Sequence, residues 1–363
     1  MSKIKISLKY WLSILLFVIL LSVQLVFLVK NRNFEFKYAE YGSIAQSLVH
    51  GEGFSSPFYT QSGPTAWMPP FLVYFIYFFF LVFGNGLLTF LLLTIIKFLT
   101  YSVSFILLLK TLEYCKIKQS PIVIWLLFIL YLFMSIYQNF KTVNDYWLFS
   151  LLICLFTYAY IQYKSNGSRK GFFLLIGCFL LAPIISPGLV VSFAAVAVFD
   201  YLYGVIRGIS VGLNPMDWIR QFFIDCFKNV KSLSQLCLFG LAMIISTFLW
   251  TYRNYEVFHT FIPIKSNMWF EFYMSNVIEP KGLLTQTTLI KVHPMTNAVV
   301  FQDYARSGEI DWIKKYELVS REYKEKHKEE YHHKIWNRFM NAFVFIEIDD
   351  DVISTSICQK ISA

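Results

Sequence analysis

The groups best suited to chemistry in this 363-residue chain are few, and they sit at the ends of apolar runs. Glu40 lies in "YAEYGSIAQSL", just past the first such run. Tyr41, Ile44, Ala45 and Leu48 share its helical spacing, which predicts a short amphipathic helix along a membrane interface. Asp145 opens the apolar run 146–163. Two carboxylates at one membrane face could serve as a general base and as an acid that orients a hydroxyl acceptor or holds a cation. The alternative makes Glu40 a solvated loop charge and Asp145 a helix N-cap. Arg253 follows the run 232–250, in "LWTYRNYEVFHTFIPIKSN", which also carries Lys265. A guanidinium grips phosphate bidentately and an ammonium holds it as a point charge, so this pair suits a phosphate at headgroup level. The other reading of Arg253 is an interfacial arginine snorkelling to water.

Between the first two apolar runs stands "GEGFSSPFYTQSGPTAWMPP", Gly51 to Pro70. Gly51 and Gly53 permit a turn, and Pro69-Pro70 suits the first turn of a returning helix. Ser55, Ser56 and Thr65 offer hydroxyls, and Trp67 is placed to anchor the loop in the interface. His259, His293, His327, His332 and His333 show no pairing beside a carboxylate, so they read as solvated and no metal site is expected. The six cysteines have no Cys-x-x-Cys pair, which suggests neither a disulfide framework nor zinc. There is no phosphate-binding loop, dinucleotide fingerprint or hydrolase elbow.

The elements that must position these groups are membrane helices. The chain is 56% hydrophobic and 15% charged, with mean hydropathy +0.53. Tyr10 to Val29 is an unbroken apolar run, long enough to cross ~30 Å of hydrocarbon. "NRNFEF" after it has no small-residue cleavage site, so an uncleaved anchor is the better reading than a signal peptide. Further runs at 67–83, 86–109, 120–138, 146–163, 171–184, 188–205 and 232–250 predict an all-α polytopic membrane protein. The net charge of +9 could suggest nucleic acid, but the basic residues gather in short loops between spans, as membrane orientation requires. Lys3, Lys5 and Lys9 place the N-terminus in the cytoplasm and a first loop, 30–66, on the far side. "YKSNGSRK" and 206–231 read as cytoplasmic, which sends Asp145 and the chain after Trp250 to the far side. Lys110, Lys116 and Lys118 also read as inside. Either one of the two segments in 67–109 is re-entrant or broken, or this loop departs from the rule. The resulting division is a transmembrane core, 1–250, and an extracytoplasmic polar segment, 251–363. Within the latter, 309–336 is a charged helical pattern packing through Ile313, Tyr316, Leu318 and Val319.

With those residues in place, the chain resembles the GT-C glycosyltransferases, nearest to enzymes related to protein O-mannosyltransferases and lipid A aminoarabinose transferases. Four stretches carry the resemblance: "AEYGSIAQSLVHGEGFSSPF", "GPTAWMPPFLVY", "VNDYWLFSLLICLFTYAYI" and "YRNYEVFHTFIPIKSN". It implies a GT-C-type helical bundle in the inner (cytoplasmic) membrane, with short interfacial helices on a far-side loop. It implies a polyprenyl-phosphate-linked sugar as donor, a membrane lipid carrier, and a glycan, lipid or protein acceptor. A divalent cation is not indicated. Glu40 would be the base and Asp145 its helper. Arg253 and Lys265 would neutralise the leaving phosphate, with Trp67, Ser55 and Ser56 beside the donor. Family members commonly carry their acid at the position of Lys37, which leaves Glu35 a rival base. Where the aminoarabinose branch has a Lys before its Pro-Pro pair, this chain has Met68. The abrupt end near residue 345 reads as a short or truncated member. Two further classes are a lipid-linked-glycan transporter, which would need ionisable groups such as Lys97 and Gln24 deep in the spans, and a non-catalytic scaffold.

Overall fold

A computed structural model of the chain describes residues 8–30, 38–139, 143–209, 215–228 and 230–343. Among them fifteen α-helices occur and no strand, so the chain is an all-α membrane protein. It divides into two compact units: Met1–Gly51 with Pro69–Ile264, and Glu52–Met68 with Lys265–Ala363.

The first unit contains α1 (Leu8–Lys30), α2 (Ala39–Val49), α3 (Pro70–Phe83), α4 (Leu87–Tyr114), α5 (Pro121–Asn139), α6 (Tyr146–Asn166), α7 (Arg169–Ile185), α8 (Pro187–Gly208), α9 (Pro215–Lys228) and α10 (Val230–Phe258). Five of these, α1, α4, α6, α8 and α10, are long and apolar enough to cross a membrane. Large apolar side chains such as Ile122, Val191, Phe199 and Leu249 face outward, as lipid rather than water as the outer solvent requires.

The conflict in 67–109 has a geometric answer. Lys9 pairs with Glu113 at 2.8 Å, so α1 begins where α4 ends. The basic loop after α4 therefore lies at the same end of the bundle as Lys9. Of the two helices in question, α3 has 14 residues and extends about 21 Å, short of the ~30 Å hydrocarbon. Gly84, at φ +73°, ends it in a conformation that side-chain-bearing residues avoid. α6 and α7 then form a tight hairpin, because a Cβ on Gly171 would sit 2.8 Å from the Ala159 carbonyl oxygen. α10 runs unbroken past residue 250 to Phe258, which places Arg253 on the helix itself.

The second unit holds α11 (Met268–Phe272), which continues into a π-helical turn (Tyr273–Ile278), then α12 (Gln286–Val292), α13 (Ala298–Ser307), α14 (Glu309–Lys326) and α15 (Lys328–Phe343). Its core is aromatic: Phe58, Trp67, Phe270, Tyr304 and Trp312 pack with Met274 and Ile313. The charged pattern expected as one helix is broken at His327, where φ is −120° and ψ is 45°. The buried stripe of α14 is Glu309, Trp312, Ile313 and Ser320. Leu318 and Val319, expected on that stripe, are 70% and 44% exposed; Leu318 falls outside its i, i+3, i+4 spacing, and Val319 lies at its edge.

Candidate functional site

Glu40 stands in the first turn of α2, whose buried residues include Tyr41, Ile44 and Ala45. Asp145 occupies the N-cap position of α6 but makes no side-chain capping bond there. Its carboxylate accepts from the Tyr41 hydroxyl instead. The capping alternative thus fails, and Tyr41 stands within the electrostatic reach of both acids. Burial above all, then Asp145 and Glu40, pushes the Tyr41 phenol well above its ordinary range. Tyr41 is therefore a neutral donor at any working pH. Glu35 lies outside the described residues.

Arg253 reaches the same end of the bundle. Gln235, near the start of α10, donates to the Tyr163 hydroxyl near the end of α6. From that pairing Asp145 and Arg253 each lie eighteen residues away along opposed helices, a rise of about 27 Å in both cases. Arg253 donates to Asn254 Oδ1 at 3.0 Å, and its guanidinium lies 5.1 Å from the Trp250 ring centre. It lines an apolar cavity with an empty volume of about 1280 Å³, mouth included, between α3, α7 and α10. Phe71, Tyr74, Phe75 and Phe78 form one wall, and Leu249 and Trp250 another. Glu40 and Asp145 do not line it. However, Phe75 packs 6.0 Å from Trp147, two residues beyond Asp145.

The remaining candidates belong to the second unit. Lys265 pairs with Glu271 at 2.7 Å, and Asn267 donates to the same oxygen at 3.1 Å. Ser55 and Ser56 are buried, and Ser56 donates its backbone N–H to the Gly63 carbonyl at 2.9 Å. Trp67, expected in the lipid interface, is only 1% exposed and packs between Phe58, Phe270 and Trp312. The loop carries enough aromatic surface to bury itself, so its indole joins a core rather than a headgroup layer.

No local pattern marks what holds that loop. Glu309, 4% exposed, accepts from Ala66 N at 2.7 Å, Ser266 Oγ at 2.7 Å and Tyr304 OH at 2.9 Å. Thr65 Oγ1 donates to the oxygen that also receives Tyr304, while Ala66 and Ser266 share the other. Burial pushes this carboxyl above the ordinary range and the four donors pull it back.

His293, expected to be solvated, is likewise buried, at 8% exposure, with its ring 5.4 Å from Phe58. Burial lowers its pKa from the ordinary 6.5 to about 4. Between those values the unfolded chain holds the proton and the folded chain does not. Stability of this unit is therefore expected to rise with pH through that window and fall on acidification, by at most about 3 kcal/mol from this group. Denaturant unfolding of the wild type against His293→Asn, which keeps an acceptor for Met295 N, checks this. Equal pH slopes in the two proteins would count against it.

Among the described residues no cluster of histidine, cysteine or carboxylate groups is arranged to hold a metal ion. The chain matches no protein-family model, no curated protein and no solved structure.

Proposed function

We propose that the chain is a membrane glycosyltransferase that moves a sugar from a polyprenyl-phosphate carrier to a hydroxyl acceptor, with the site on the far side of a cytoplasmic membrane. One observation carries this reading. An apolar cavity that ends in the Arg253 guanidinium lies at the end of the bundle that also holds Glu40 and Asp145. Such a cavity suits a long apolar tail with an anionic head, because the tail gains from leaving water and the guanidinium from a bidentate phosphate. The step is a single inverting displacement. The acceptor oxygen attacks the anomeric carbon, and the carbon–oxygen bond to phosphate breaks with its electron pair leaving on phosphate. Glu40 takes the hydroxyl proton. Arg253 offsets the charge that grows on the departing phosphate.

The test is transfer of labelled sugar from polyprenyl-phosphate donors in membranes that contain the chain. Arg253→Met removes a charge-assisted contact of about 1.5–3 kcal/mol, so kcat/KM for the donor is expected to fall roughly tenfold to a hundredfold. Arg253→Lys should recover part of that loss. If the wild type transfers no sugar from any donor, the reading fails.

A further inference from the structure

The opposite end of the first unit carries a second cavity that glycosyl transfer does not use. It opens between α6, α7, α8 and α10 as a narrow cleft, with about 450 Å³ of empty space counting its mouth but room for only about 30 Å³ of water-sized groups inside. Its floor is apolar and aromatic, formed by Phe156, Leu175, Phe179 and Phe239. Its rim is charged. Lys164 Nζ lies 2.6 Å from Asp200 Oδ2, and the Tyr160 hydroxyl donates to Asp200 Oδ1 at 2.7 Å. Lys164 stands two residues before the end of α6, a helix of 21 residues and about 31 Å. A helix of that length just crosses the hydrocarbon, so its last turn reaches the headgroup layer. This cavity and the Arg253 cavity therefore sit at opposite faces, about 27 Å apart along α10 from Gln235 to Arg253.

We infer that this rim binds the headgroup of a zwitterionic phospholipid with a primary ammonium, the ammonium on Asp200 and the phosphate on Lys164, in place of the contact those two side chains make with each other. A single carboxylate beside a single ammonium matches a headgroup that carries one charge of each sign. An anionic lipid would set its phosphate on Lys164 but leave Asp200 facing like charge. A trimethylated ammonium has no N–H to give Asp200. Tyr160 holds the carboxylate in place from its other oxygen.

Native mass spectrometry of the full-length chain in detergent, titrated with phosphatidylethanolamine, phosphatidylcholine and phosphatidylglycerol, tests the assignment. Phosphatidylethanolamine is expected to be retained about tenfold more tightly than either of the others, a difference of about 1.4 kcal/mol. In Asp200→Asn that preference over phosphatidylglycerol should vanish, and in Lys164→Met all three lipids should weaken. Equal retention of the three lipids by the wild type overturns the proposal, and so does a preference that survives Asp200→Asn. The wild-type comparison decides the matter even where a variant does not fold. Soluble phosphoethanolamine is the control for the headgroup alone. Displacement of the lipid at matching concentration would mean a soluble ligand and would refute a lipid site.

Discussion

Replacing Glu309 with alanine is expected to undo the second unit. The carboxylate receives four donors, from Thr65, Ala66, Ser266 and Tyr304, and all four belong to buried or half-buried residues. Each buried donor left without a partner costs about 1–3 kcal/mol, so the variant loses about 4 kcal/mol or more. Small domains are stable by only about 5–15 kcal/mol, which makes this a large fraction of the whole. Glu309→Gln keeps the shape and one acceptor oxygen. However, its amide nitrogen turns one pair of contacts into donor against donor, so it should fall between wild type and alanine. Hydrogen exchange read by mass spectrometry on the full chain reports this directly. The peptides covering 52–68 and α14 should lose protection together, since Glu309 joins them, whereas α4 and α6 in the first unit keep theirs. Unchanged exchange in 52–68 would show that the carboxylate is not what holds the loop.

The second large effect concerns catalysis. Glu40→Gln is expected to lower sugar transfer by about 10²–10⁴, the usual contribution of a positioned general base. Asp145→Asn should also impair transfer, because it removes the charge that the Tyr41 hydroxyl serves. Tyr41→Phe makes a more discriminating variant. It retains both carboxylates and alters only their connection, so a smaller loss in kcat with donor KM unchanged is the expected outcome. Full transfer by Glu40→Gln alongside an inactive Glu35→Gln would move the base to Glu35. Loss in Tyr41→Phe as deep as in Glu40→Gln would mean that the hydroxyl itself touches the reacting groups.

Much of the helical framework is legible in the sequence. The apolar runs at 10–29, 86–109, 146–163, 188–205 and 232–250 each correspond to a helix long enough to span. The amphipathic spacing around Glu40 corresponds to α2. Such patterns are local: a helix repeats every 3.6 residues and a bilayer has a fixed thickness, so periodicity and length suffice to read them. The basic loop after α4 also carries part of the answer to the crossing count. Only the Lys9–Glu113 pair, which joins distant helices, decides which end that loop occupies.

The fate of individual polar and aromatic side chains is a different matter. Trp67 has the composition of an interfacial anchor and the position of a core residue. His293 reads as solvated and lies among aromatic rings. Asp145 reads as a catalytic helper or a cap, and which group it meets, Tyr41, lies more than a hundred positions earlier in the chain. Thr65 meets Glu309 across 244 positions of sequence. Burial of a charge depends on which donors surround it, and those donors come from remote segments whose approach leaves no periodic trace. Local patterning therefore settles where the spanning helices run, whereas tertiary packing decides which of the polar groups between them face a partner, a cavity or the core.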